Sequence, residues 1–466
     1  MTDQKNLFRR DASLAARQDK TDNLILPRVV RNRTEKTYFS KENLAAAHET
    51  IKKWAELETS GRLRRLNEEQ LQGDFLAEVF GEVLGYTGPT EGAAVWHRLQ
   101  HESFGLQTPD GILGRFTPGE TPVPHAVVEL KGPLVHLDRD RSNGRTAIDQ
   151  CWDYLVNMDA RCRWGVVSNI VSFRLYERGS TKRAYEHYTL QSLRDFKTFQ
   201  NFYGTFGLHG LVEPGFKAKN PLAVEMLESS RNEQEAVGDR LYEIYSRHRT
   251  DLLIYLHKQL GHGVDDAVEM TQRLLDRVIF VAFCEDRELL PQETIARACK
   301  VTGFHDVTNP AWRQFKSLFR FIDAGSPPQY GIERYNGGLF ATHAVDDLEL
   351  PDTPWIDFFA QVAKFDFAAE VNLEVLGQFF ERSITEIDRL KSTGLLGGDE
   401  DKLDAFARMP QSAKRKRLGV YYTPPSLTAL VTKHTVEELI TERFAFAAMA
   451  HGVDEDDALR GVTPDG

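Results

Sequence analysis

The chain has 466 residues, 41% hydrophobic and 27% charged, which is ample for two or three folded domains and argues against wholesale disorder. No apolar run approaches the roughly 20 residues needed to cross a bilayer, and the opening "MTDQKNLFRRDASLAARQDK" lacks a signal peptide's apolar core. Four scattered cysteines (Cys151, Cys162, Cys284, Cys299) suit neither a disulfide framework nor a zinc site, so a cytoplasmic protein with no membrane partner is expected. The net charge of −11 disfavours a polyanion only on average, because residues 1–65 lean basic in "RVVRNRTEK" and "GRLRR", and "KRKR" stands at 414–417.

In chain order, residues 1–64 read as a basic arm followed by a helix, with Leu44, Ala47, Ile51, Trp54 and Leu57 spaced three and four apart. Asn67 and Gln70 form a capping-box signature. The helix it opens carries a stripe of Phe75, Leu76, Val79, Phe80, Val83 and Leu84 and stops at Gly85. Four strand-like runs follow, "ESFGLQ", "DGILGRF", "HAVVELKG" and "RWGVVSNIVSFRLYE", with the helical "TAIDQCWDYLVNMDA" between the last two. Residues 65–200 therefore predict an α/β domain with a mixed sheet flanked by helices.

Residues 201–404 are mainly helical. "AVEMTQRLLDRVIFVAFCEDRELL" and "VLGQFFERSITEID" are long amphipathic runs, and the paired glycines of "QYGIERYNGGLFA" predict a loop. Cys284 falls on the apolar side of its helix, and "TNPAW" reads as a helix-start turn. An acidic stretch near 392–404 reads as a linker. From 405 to 466 come the basic run and "LGVYYTPPSLTALVTKHTVEELI", a two-proline turn feeding a helix.

The chemistry-bearing stretch is "HAVVELKGP". Strand side chains alternate, so Glu129 and Lys131 emerge on one face while Val128 and Leu130 point to the other. The turn "TPGETPVP" would let the strands on either side of it pair antiparallel, which brings Asp110 of "TPDGILGRF" to Glu129 and Lys131. Two carboxylates side by side call for a cation between them, and hard oxygen ligands suit Mg²⁺. With a lysine beside them they supply an activated water, a Lewis acid and positive charge where negative charge develops. His136, close to this strand, reads as a surface residue, and Glu78 and Glu82 as a solvated helix face.

Gln150 and Tyr154 lie four apart on the next helix and share a face. Together, Asp110, Glu129-x-Lys131 and "QCWDY" resemble the order of motifs in nucleases of the PD-(D/E)xK superfamily. The resemblance implies catalytic roles for Asp110, Glu129, Lys131 and Gln150, Mg²⁺ held by Asp110 and Glu129, and DNA contacts from Gln150 and Tyr154. It also implies an acid from the start of the preceding helix, Glu68 or Glu69, with Glu69 taken as the third metal ligand.

The turn "RLGVYYTPP" resembles the opening of DNA adenine-N6 methyltransferase domains. There it lies over S-adenosylmethionine, which implies cofactor contacts from Tyr421, Tyr422, Thr423 and Pro424. The combination is similar to single-chain restriction–modification enzymes of types IIG and IIL, in which such a nuclease is joined by a helical connector to a methyltransferase and a target-recognition domain. On that resemblance, 65–200 is the nuclease, 201–404 the connector and 405–466 a truncated start of the methyltransferase. The later glycine-rich cofactor motif and the N-P-P-[YF] motif do not occur, so methylation is not expected from this chain alone.

The leading expectation is a Mg²⁺-dependent endonuclease acting on double-stranded DNA in restriction–modification or phage defence. A methyltransferase and recognition part, on this chain or a second one, would complete it, and dimerisation on DNA would allow both strands to be cut. The alternatives are an adenine-N6 methyltransferase in the full-length form and a non-catalytic DNA-binding scaffold.

Overall fold

The computed structural model describes residues 23–383 apart from 93, 101–107, 143, 213–219, 301–307, 336, 369, 372–374 and 378, together with 431, 435, 439 and 443. The "KRKR" run, the acidic linker and Tyr421 to Pro424 lie outside the described residues. Among the described residues two compact units emerge, one within 23–231 and the other within 232–383. The first is a mixed six-stranded sheet with helices, and the second is mainly helical.

In the first unit, α1 (Pro27–Lys36) and α2 (Lys41–Thr59) precede α3 (Glu68–Phe75). Leu44, Ala47, Ile51 and Trp54 of α2 are buried, as their spacing predicts. The capping box forms at α3: Asn67 Oδ1 accepts from the Gln70 amide at 2.9 Å, and Gln70 Oε1 accepts from the Asn67 amide at 3.0 Å. Beyond Phe75 the helix widens into π-type turns over Leu76–Val83 and ends at Gly85, whose φ of +82° favours glycine. The apolar stripe explains the widening. Phe75, Val79 and Val83 repeat every four residues, as do Leu76, Phe80 and Leu84. An α-turn of about 3.6 residues would let that repeat drift, whereas an under-wound turn keeps all six side chains in the core.

The sheet runs β1 (Trp96–Gln100), β2 (Gly111–Phe116), β3 (Val123–Leu130), β4 (Trp164–Ser168), β5 (Ser172–Glu177) and β6 (Glu186–Thr189), in chain order across its width. Every neighbouring pair is antiparallel except β3 and β4, which are parallel and joined through α4 (Ala147–Asn157). Parallel neighbours require such a crossover. Ala126, Val128 and Leu130 face the core shared with α1 to α3, while Val127 faces the core under α4. Helix α4 lies close on β4 because Gly165 has no side chain: a Cβ there would come within 2.6 Å of Cys151 Sγ and 2.8 Å of Leu155 Cδ1.

Three strand readings change. The run "ESFGLQ" lies outside the described residues, and β1 sits just upstream of it. "RWGVVSNIVSFRLYE" is two strands, not one. The Ile170 amide donates to Ser168 Oγ at 3.0 Å and the Ser172 amide to Asn169 Oδ1 at 2.9 Å, folding a turn with Ile170 at φ 73°. The short β6 had no apolar alternation to announce it, since one of its two inward residues is the acid Glu186, the other being Tyr188.

Glu186 is buried, and its Oε1 accepts from the Ile25 amide at 2.8 Å, tying the buried segment Leu24–Leu26 to the sheet. Burial raises its pKa to about 7, against the pull of that amide. Because the folded-state value lies above the unfolded one, its contribution to stability is complete below about pH 4.5 and is lost as pH rises through about 7. Glu186→Gln, which keeps the acceptor, is expected to raise stability at pH 8 by about 1–3 kcal/mol and to leave it almost unchanged at pH 4. Urea unfolding at the two pH values measures this; equal effects at both would refute it.

After α5 (Phe196–Phe206), the long helix α6 (Leu222–Ile254) gives its first residues to the sheet unit and the remainder to the helical one. There it is joined by α7 (Val264–Asp286), α8 (Thr294–Cys299), α9 (Pro310–Ala324) and α10 (Asp352–Val362). Pro310 of "TNPAW" occupies the first turn of α9, and Cys284 is buried in the core. The glycine-pair loop is held from α7 by the fully buried Arg277, which donates to the carbonyls of Leu339 (2.8 Å) and Ala341 (3.0 Å) and to Asp346.

Candidate active site

The antiparallel register pairs Gly111 with Val128, which sets Asp110 opposite Glu129 at the end of the β2–β3 hairpin. Asp110 is fixed from two sides. Its Oδ2 accepts from the Leu130 amide at 2.8 Å, and its Oδ1 accepts from Gln72 Nε2 of α3 at 3.2 Å. Glu129 is only 2% exposed and shares the α4 face of β3 with Val127. Lys131, just past the strand, donates from Nζ to Glu129 Oε1 at 2.5 Å. Its backbone continues the β3–β4 pairing at the sheet end, the amide donating to the Ser168 carbonyl at 2.8 Å.

A third carboxylate arrives from the first turn of α3. Glu68 Oε2 accepts from the Gly132 amide at 3.1 Å, and its charge is felt by both Glu129 and Lys131. Glu69 is exposed and makes no hydrogen bond to this cluster among the described residues. The structure thus brings Glu68, not Glu69, to the other two acids. A signal for this was present in the sequence: Glu68 and Gln72 are four apart on one helix face, and Gln72 is the residue that holds Asp110.

The electrostatics of the cluster are unbalanced. Burial, together with the negative charge of Asp110, pushes the Glu129 carboxyl up to about 7 against the attraction of Lys131. Burial likewise raises Glu68, with Lys131 opposing and Asp110 adding to the rise. Burial works against the charge of Lys131, yet Glu129, Asp110 and Glu68 outweigh it and hold the ammonium above the ordinary lysine range. Three acids surround one base, so the site has room for more positive charge than it carries.

Helix α4 supplies the rest of the wall. Burial raises the Tyr154 phenol well above its ordinary value, with the charges of Glu129 and Asp110 adding to the effect, which places this ring beside the acids. Gln150 is half-buried one turn earlier, but its Nε2 donates to the Arg145 carbonyl at 3.4 Å and makes no hydrogen bond to the carboxylates among the described residues. The acids of α4 pair with the loops beside it: Asp149 with Lys182, and Asp153 with Arg145 at 2.8 Å. His136 is exposed, and Glu78 of the π-type segment is tied to α2, accepting from Trp54 Nε1 at 3.0 Å and pairing with Lys53.

The donor set, carboxylates only, fits a hard divalent cation. Among the described residues no three such groups already stand at coordinating distance of one point. Each acid is instead held by a neighbour: Glu129 by Lys131, Asp110 by Gln72 and the Leu130 amide, Glu68 by the Gly132 amide.

Over 200 residues, 37% of its length, this chain is 25% identical to a protein of Methanocaldococcus jannaschii provisionally named a type II restriction enzyme and methyltransferase. The chain is similar to a restriction–modification protein. The match takes in 15% of that relative's own length, so the chain corresponds to a small part of it. No family model and no solved structure matches the chain.

Proposed function

We propose that the sheet unit is a Mg²⁺-dependent DNA endonuclease of the PD-(D/E)xK type, belonging to a restriction–modification or phage-defence system whose architecture follows types IIG and IIL. The observation that carries this reading is the convergence of Asp110, Glu129 and Lys131 at one sheet end, with Glu68 reaching in from α3. Asp110 and Glu129, assisted by Glu68, would hold the cation, which supplies Lewis acidity at the scissile phosphate when bound. The chain's own groups do the remainder. Lys131 presents its ammonium where a phosphate oxygen gains charge and can orient a water for attack. Tyr154 and Gln150 line the α4 side, where a nucleotide would lie.

On the methyltransferase side, Tyr421, Tyr422, Thr423 and Pro424 are proposed to lie over S-adenosylmethionine in a complete adenine-N6 methyltransferase. The relative's double name supports that reading.

Supercoiled plasmid incubated with the chain and Mg²⁺ is expected to be nicked, and EDTA to stop it. Glu68→Ala is expected to lower the nicking rate by about tenfold to a hundredfold through weaker cation binding, while Glu69→Ala changes it less than about twofold. Nicking that persists in EDTA would overturn the metal-dependent assignment, and equal losses in the two variants would overturn the role given to Glu68.

A further inference from the structure

Two arginine-bearing segments flank the carboxylate cluster. On one side, Arg62, Arg64 and Arg65 stand immediately before α3. Leu63 is buried and Leu66 packs against the same core, which forces the three arginines outward, and all three are exposed. Arg65 is three residues from Glu68, whose carboxylate is already at the cluster.

On the other side, the loop from Gly132 to Arg145 leaves the end of β3 and carries exposed Arg139 and Arg141. This loop is pinned over the α4 face of the sheet. Arg174 of β5 grips Asp138 with two bonds, at 2.6 and 2.7 Å, and Asn169 Nδ2 donates to the Val135 carbonyl at 2.8 Å. Glu129, Val167 and Arg174 are register neighbours across three strands. At about 4.8 Å per strand, Arg174, whose side chain holds Asp138 beside Arg139, stands roughly 10 Å from Glu129 along the sheet.

The loop's other charges are committed to the fold: Asp138 to Arg174, Asp140 to the His136 amide at 2.9 Å, and Arg145 to Asp153. Arg62, Arg64, Arg65, Arg139 and Arg141 form no ion pair among the described residues. A chain of net charge −11 must meet a polyanion through a local patch, because its average field is repulsive.

We infer that these five arginines form a phosphate-binding rim that seats the two strands of duplex DNA on either side of the carboxylate cluster. This rests on the nuclease reading and adds the contacts that position its substrate. Arginine suits the task because its planar fork pairs with phosphate oxygens in two bonds. Phosphate contacts carry no sequence information, so the rim serves any duplex.

The test is binding of a fluorescein-labelled duplex of arbitrary sequence by anisotropy in EDTA, across a range of salt concentrations, beside plasmid nicking in Mg²⁺. Arg62→Gln/Arg64→Gln/Arg65→Gln is expected to reduce the slope of log K against log salt by about 2–3, and Arg139→Gln/Arg141→Gln by about 1–2, since each lost phosphate contact removes about 0.9. Affinity at low salt should fall about tenfold or more in each, with unchanged melting temperature, and lysine at the same positions should restore the slope. Unchanged slopes in variants of a chain that binds and nicks would overturn the rim and leave the nuclease standing. A wild-type chain that neither binds nor nicks would overturn both.

Discussion

Replacing Glu129 by glutamine is expected to lower Mg²⁺-dependent nicking at least about a hundredfold and, at pH 8, to make the protein more stable. Both effects come from one cause. Glu129 lies almost wholly out of water beside Asp110, and its proton leaves only near pH 7. In the unfolded chain that proton leaves at about 4.5. The folded state therefore binds the proton more tightly, and stability drains away as pH rises from the lower value through the higher one. A glutamine has no charge to desolvate, so the variant should gain about 1–3 kcal/mol at pH 8 and almost nothing at pH 4. Asp110 and Glu68 remain to balance Lys131, which limits the loss from breaking its bond to Glu129. Thermal melts of wild type and variant at the two pH values, with nicking assayed in parallel, measure both effects. A variant that still nicks would sink the metal-ligand role; one that is destabilised at pH 8 would show that the Lys131 bond outweighs the cost of the buried charge.

The core of this site could be read before any coordinates because strand geometry is stiff. A period of two puts Glu129 and Lys131 on one face, and a single turn between two apolar runs fixes which end of β2 meets the end of β3. The helix after it was equally legible, since Ile148, Cys151 and Leu155 set its buried face and so the side on which Tyr154 emerges. What failed to read through were choices made by tertiary packing. Glu68 and Glu69 are adjacent on the first turn of a helix, and only the way α3 meets Gly132 decides which carboxylate reaches the cluster. The turn between β4 and β5 was hidden inside an apolar run, because Ser168 and Asn169 make it with side-chain bonds and without a glycine or proline. Strand β6 was hidden for a related reason: a buried acid breaks the alternation that announces a strand. Gln150 shows the limit of motif spacing, which places it on α4 one turn before Tyr154 while its amide turns to the Arg145 carbonyl.

Lys131→Ala separates the two jobs proposed for the lysine of this cluster. The first is catalytic: an ammonium aimed at a phosphate oxygen is worth about a hundred- to a thousandfold in rate when it meets charge that develops only in the transition state. The second is electrostatic upkeep. Lys131 is the group that pulls the Glu129 carboxyl down, so without it the proton on Glu129 is held to a higher pH and competes longer with a cation. The two make different predictions. If only the catalytic job matters, Lys131→Ala should lower nicking by the same factor at every pH. With both, the deficit should be largest near pH 7 and shrink toward pH 9, as Glu129 loses its proton without help and raised Mg²⁺ recovers part of the rate. Duplex affinity in EDTA should fall little, its salt slope changing by at most about 1, because one phosphate contact among several is lost. Nicking profiles for wild type and variant from pH 6.5 to 9 at two Mg²⁺ concentrations decide between them. A variant as active as wild type throughout would remove Lys131 from the mechanism altogether.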